Sequence, residues 1–227
     1  MIPTFNVAGT GLFGGHRRVV TDPFRDNVVV LLEGEGANGG TTIVDSGPHG
    51  LAITMTTSYT TSTVQAKQGS SSILTNAGGG EMFYTNTAQT LLPANWTIEQ
   101  WIWSISGQMY IWFMGTNPTP IMYLSRGGDT VPKFQSPGTT RITGSANSTG
   151  AWHHYVVQNV SGTIEFGVDG VSAGTWVGSP SMPGVGEKIR IGCAPSGQEG
   201  VFYIDEFRIS NIARYTFPFT PPTAPLY

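Results

Sequence analysis

The feature that most constrains this chain is what its apolar residues do not do. Nowhere do they recur at three- and four-residue spacing over the length of a helix. Instead they fall into short runs that Gly, Pro, Asn, Asp or Ser stop after a few positions. Val28 to Leu32 is continuously apolar, the pattern of a strand covered on both faces. Leu51–Thr56, Ser71–Leu74, Trp96–Ile105, Met109–Met114, Ile121–Ser125 and Trp152–Val160 read as further strands. So do Thr163–Val168, Gly174–Val177, Lys188–Gly192 and Val201–Ile209. Thr41 to Val44 leads into the turn Asp45-Ser46-Gly47-Pro48, and Asp169-Gly170 marks a tight hairpin because glycine accepts positive φ. About a dozen short strands with turn signals between them predict a sandwich or a barrel.

Length and composition agree with one such unit. A chain of 227 residues suits one large sandwich with a real core. Charged residues are 11% of the chain, well below the ~25% of an average domain. The 6 Trp, 8 Tyr and 11 Phe offer enough apolar surface to exclude disorder as a whole. Net charge is -3 and only Arg17 and Arg18 adjoin, so no basic stripe serves nucleic acid. The single Cys193 forms no internal disulfide, and no Cys/His spacing suggests zinc. Met1 to Gly15 lacks the charged and apolar regions of a signal peptide, and no apolar run approaches ~20 residues. The expectation is synthesis in a reducing cytosol and no membrane insertion. The glycosylation-type triplets at Asn95, Asn147 and Asn159 then read as chance.

The chain divides unevenly. Residues 1–24 carry no steady period and read as an extended docking arm, with Phe5, Leu12, Phe13, Arg17 and Arg18 as its contact residues. Residues 25–227 read as one domain with a C-terminal tail.

Several segments carry a resemblance. Asn27–Leu32 followed by a glycine-rich loop and Asp45-Ser46, then Gln65–Ile73, Thr97–Trp103, Trp152–Val157 and Val168-Asp169-Gly170 are similar to LamG-like (concanavalin A-like lectin/glucanase) domains of tailed-phage virion surface proteins. Tyr203–Ser210, Ala213–Thr216 and Phe219–Pro222 complete the series in the family's order. The resemblance implies an all-β, two-sheet antiparallel jelly roll whose rim loops or concave face often bind glycans. It does not name the ligand.

Candidate chemistry is thin. Retaining glycosidases need two carboxyls about 5–5.5 Å apart, and the only adjacent acids, Asp205 and Glu206, point to opposite faces of a regular strand. Glu33 and Glu35 alternate correctly but sit among glycines, and Glu99 stands alone. By parity with Tyr203, Phe207 and Ile209, Asp205 is expected to face the core, bonded to backbone amides, a histidine or an arginine. A calcium ion held by Asp45 and Asp205 is the alternative, and it needs six or more oxygens. His153 and His154 diverge on a strand and read as structural. No Ser/His/Asp or Cys/His arrangement stands out. Thr97, Glu99, Trp101 and Trp103 share one face, which either packs under covering loops or stacks sugars. Among loop residues, Arg126, Asn117 and Asp129 are the candidates for glycan contact.

These readings predict a non-enzymatic virion surface protein, a capsid decoration protein clasped by its arm to other virion proteins and assembled as a homotrimer. Eight arginines against three lysines suit interface pairing. A receptor-binding fibre tip or lectin for host-surface glycans is the alternative, and a polysaccharide hydrolase is third.

Overall fold

The computed structural model describes residues 22–56, 58–76, 78–86, 94–106, 108–115, 119–178, 180, 183–195 and 200–223. After a single 3-10 turn at Arg25–Asn27 the described elements are strands. They are β1 (Val28–Leu32), β2 (Thr54–Met55), β3 (Tyr59–Ser62), β4 (Ser72–Thr75), β5 (Met82–Thr85), β6 (Trp96–Ser106), β7 (Met109–Gly115) and β8 (Pro120–Arg126). They continue as β9 (Pro132–Gln135), β10 (Thr140–Thr143), β11 (Trp152–Val160), β12 (Thr163–Val168), β13 (Val171–Val177), β14 (Lys188–Ile191) and β15 (Val201–Ser210).

Two antiparallel sheets result. One has eight strands in the order β13-β12-β11-β6-β15-β4-β3, with β1 also paired to β15. The other has seven, ordered β10-β9-β8-β7-β14-β5-β2. Alternate residues of both sheets meet in one core that includes Trp96, Ile102, Trp112, Phe134, Phe166 and Phe202, all at most 1% exposed. This is the two-sheet jelly roll that the resemblance implies, and of the strand pattern's two alternatives it is the sandwich.

Strand β15 departs from regular pairing at one point, and that point sets the site chemistry. Its first half pairs with β4 and its second half with β1. Against β6 the register jumps between Asp205↔Trp101 and Arg208↔Glu99, and Glu206 has φ 52°. The extra residue is a β-bulge, and a bulge reverses which face each later residue takes. Phe202 and Ile204 therefore face the core before it, and Phe207 and Ile209 after it. Asp205 and Tyr203 stand opposite Trp101 and Trp103 on the outer face, not in the core. Uniform alternation, from which a core-facing Asp205 follows, fails here.

The expected strand at Leu51–Thr56 shrinks to β2, and Thr41–Val44 is not a strand. Strands β3, β5, β9 and β10 lie where no strand was expected.

Candidate functional site

Each sheet turns one face to the core and one outward, and the two outward faces differ. On the eight-stranded sheet the outward side chains include Thr97, Glu99 and Trp101 of β6, His154 and Gln158 of β11, and Arg208 and Ser210 of β15, all buried. The C-terminal tail lies over them. Tyr215 and Phe219 stack with ring centres 3.9 Å apart, and both meet the His154 ring edge-on. Gln158 Nε2 donates to the Tyr215 carbonyl at 2.7 Å.

Beneath the tail the charges balance. Arg208 Nε donates to Glu99 at 2.9 Å and its Nη1 to Asp22 at 3.2 Å. Arg214 Nη2 reaches both oxygens of Asp22 at 2.9 and 2.8 Å, while Tyr215 Oη and His154 Nε2 meet Glu99 Oε2 at 2.5 and 3.2 Å. Burial alone would raise the Glu99 carboxyl, but the Arg208 charge, the His154 bond and the Arg214 charge hold it far below the usual range. Such a carboxylate is an anchor rather than a proton donor. Asp22 belongs to this network, so the folded unit already begins within the stretch assigned to the arm.

Next to the network sit two carboxyls of the opposite character. Burial pushes Asp205 up to about 7, against bonds from the backbone N–H groups of Gln68 and Lys67. Burial pushes Glu206 up to about 8; Arg208 opposes this, and the charges of Asp205, Glu33 and Glu99 add to it. Trp101 is capped by Lys67 Nζ, 4.0 Å above its ring, and is 6% exposed, so it packs under cover.

The outward face of the seven-stranded sheet is built from other material. Register places Gln135, Tyr123, Phe113, Arg190, Phe83 and Thr54 in one line across β9, β8, β7, β14, β5 and β2. Phe113 stacks on Tyr123 at 5.2 Å, and Tyr110 leans on both at 5.9 and 5.6 Å. Tyr110 and Tyr123 are half-buried, whereas Phe113 is buried between them. Tyr123 Oη donates to Gln135 at 2.6 Å. Arg190 donates to Glu81 at 2.6 Å and to the Gly115 carbonyl at 2.7 Å, and Lys188 Nζ sits 3.8 Å over Phe83. Aromatic faces bordered by fixed hydrogen-bonding groups are what a polar ligand with apolar C–H faces requires.

The predicted site residues are dispersed. Phe5, Leu12, Phe13, Arg17 and Arg18 of the arm lie outside the described residues, as does Asn117. Arg126 is 1% exposed and spends its guanidinium on Asn147 and Ser104, so it is a clamp rather than a glycan contact. Asp129 is exposed in the turn after β8, paired with Lys133 at 2.9 Å. Asp45 places Oδ1 on the N–H groups of Leu31 and Gly47 and Oδ2 on that of Leu51. Its oxygens thus hold backbone together, and no group of three or more His, Cys, Asp or Glu side chains among the described residues could cage a metal with Asp45 or Asp205. His153 and His154 diverge, His154 into the sealed network and His153 toward a cleft at the rim.

A family model described as the concanavalin A-like lectin/glucanases superfamily matches residues 76–215. The chain belongs to that superfamily. No curated protein matches it. Among solved structures, this concanavalin A-like chain is similar to the binding domain of Paraclostridial Mosquitocidal Protein 1, at 14% identity over 85% of this chain and 50% of that one, with a TM-score of 0.65. The botulinum neurotoxin serotype D binding domain is similar at 11% identity over 86% and 50%, TM-score 0.66. Trypanosoma rangeli sialidase is similar at 11% identity over 84% and 31%, TM-score 0.57. The chain spans about half the length of the toxin binding domains. At these identities the likeness is one of fold.

Sequence reasoning missed the Tyr110–Phe113–Tyr123 group. The alternation of Tyr123 with Met122 and Leu124 in β8 was the available signal.

Proposed function

We propose that the chain is a lectin-type binding domain that holds an extended glycan along the outward face of its seven-stranded sheet. The observation that carries this reading is the line Gln135–Tyr123–Phe113–Arg190–Phe83, where the rings of Tyr123, Phe113 and Phe83 lie among the hydrogen-bonding groups of Gln135 and Arg190 across adjacent strands. Neighbouring strands lie about 4.8 Å apart, so side chains two strands apart sit roughly two sugar residues apart and suit a polymer more than a single sugar. Over the centre of the opposite sheet the tail covers the outward side chains and Glu99 is committed to Arg208, while the half-buried Trp103–Trp152 pair lies at one end of that face. Fold relatives support the reading by analogy: the binding domain of botulinum neurotoxin DC is known in complex with SialylT and with rat synaptotagmin II. The test is a glycan array and affinity electrophoresis in host-surface polysaccharides with wild type, Tyr110→Ala and Tyr123→Ala. Retention lost in both variants is expected; unchanged retention removes this face from the reading.

A setting on a virion surface is the second part of the proposal. Asp22, which carries residues 1–21, is clamped by Arg208 and Arg214. An arm mounted on so fixed a point transmits a docking contact to the whole domain. Deleting residues 1–21 is expected to leave the fold intact and to abolish incorporation into particles. Sedimentation of the full chain tests the homotrimer.

A further inference from the structure

At the rim of the sandwich, three side chains that are scattered in sequence form a relay. His153 Nδ1 lies 2.6 Å from Asp169 Oδ2, and His153 Nε2 lies 3.0 Å from Ser148 Oγ. Asp169 is fixed on the β12–β13 hairpin by its other oxygen, which accepts the His154 backbone N–H at 2.8 Å. Burial would raise its carboxyl, but the His153 bond and the His154 N–H hold it below the usual range. An ionised Asp169 keeps the proton on Nδ1 and turns the Nε2 lone pair toward Ser148.

The serine is held from both sides. Arg126 donates from Nε to Asn147 Oδ1 at 2.8 Å and from Nη2 to the Asn147 carbonyl at 2.9 Å. The Asn147 N–H donates to Thr130, its side chain donates to Tyr155 Oη, and the Gly150 N–H donates to Ser104. The relay opens on a cleft of about 380 Å³ lined by Ser145, Ala146, Asn147, Val171 and Ser172 beside the relay itself.

We propose that Ser148, His153 and Asp169 form a site that hydrolyses small neutral carboxylic esters, such as O-acetyl groups on a sugar. This goes beyond glycan binding and uses different residues. The lining has small polar and apolar groups and no cation, which suits an uncharged acyl group and disfavours phosphate esters. In the first step Ser148 Oγ bonds to the ester carbonyl carbon as its proton passes to His153 Nε2. The ester C–O bond then breaks, and that proton goes to the departing alcohol. Water attacks the acyl-serine, gives its proton to His153, and releases the carboxylic acid as Ser148 Oγ regains a proton. Asp169 holds the imidazole throughout.

The full chain is treated with a fluorophosphonate probe and peptide-mapped, and acetate release is measured from p-nitrophenyl acetate and acetylated xylan. A single adduct on Ser148 is expected. Hydrolysis should fall to the buffer rate in Ser148→Ala, whose side chain is exposed, and by on the order of 10³–10⁴-fold in Asp169→Asn. No adduct on Ser148, or acetate release by Ser148→Ala at the wild-type rate, overturns the proposal.

Discussion

The two outward faces of this sandwich are made by the same rule of alternation and come to opposite ends. On the eight-stranded sheet, Glu99, Arg208, Asp22 and Arg214 form a balanced set of two acids and two bases under the C-terminal tail. On the seven-stranded sheet, Tyr110 and Tyr123 keep half-buried rings beside Gln135 and Arg190. A buried charge is tolerable only when it is paired, so the first face demands a cover and can offer little to a ligand. Aromatic rings tolerate partial exposure, and the second face is therefore free to meet another molecule. The difference teaches that polar residues on a sheet do not by themselves mark a binding surface. Closure of the hydrogen bonds around them decides.

The comparison breaks most visibly at Asp22. Asp22→Ala leaves the guanidinium of Arg214 without its bidentate partner and Arg208 with one acid fewer. Unpairing a buried charge costs about 3–5 kcal/mol. Urea unfolding should show a loss of that size, while the fraction still folded should bind glycan as wild type does. An Asp22→Ala protein as stable as wild type would mean that the tail is not sealed by this network.

A smaller effect separates two carboxyls on the same sealed face by sign. Glu206 is raised on folding to about 8, so the folded state holds a proton that the unfolded chain has released. Its contribution is complete below the ordinary carboxylate range and is lost as pH rises through about 8. Glu99 is lowered, so its contribution is present at neutral pH and lost only in strong acid. Glu206→Gln should therefore gain stability relative to wild type at pH 9 and little at pH 5. Urea midpoints at the two values check this, and a gain confined to the acid side would reverse the assignment.

Much of the fold was legible because turn residues punctuate strands whose length and apolar content are typical. What escaped has physical causes. Tyr59–Ser62 and Thr140–Thr143 are polar and four residues long, and they become strands through pairing with a neighbour rather than through their own pattern. The bulge at Asp205-Glu206 left no mark, since Glu206 takes a positive φ without being glycine. Phe113 was hidden because Met109–Met114 is apolar on both faces, so the outward ring looks like the inward ones. The Ser148–His153–Asp169 relay is assembled by the β12–β13 hairpin, which no linear spacing reveals.

The finest test of the contrast is Tyr123→Ala. Its ring is half-buried and its hydroxyl bonds Gln135, so truncation removes part of a stack and one exposed-side hydrogen bond. An aromatic pair contributes about 0.5–1.5 kcal/mol beyond its buried area, which bounds the loss of stability near the low end of core truncations. The same ring, if it carries a sugar face, should cost roughly tenfold in glycan affinity, since tenfold corresponds to about 1.4 kcal/mol. Isothermal titration with a retained polysaccharide fragment and urea unfolding on the same sample separate the two. On the sealed face the ratio should invert: Tyr215→Phe removes the bond to Glu99 and should lower stability without touching affinity. A Tyr123→Ala protein that loses stability but no affinity would make the open face an ordinary packing surface.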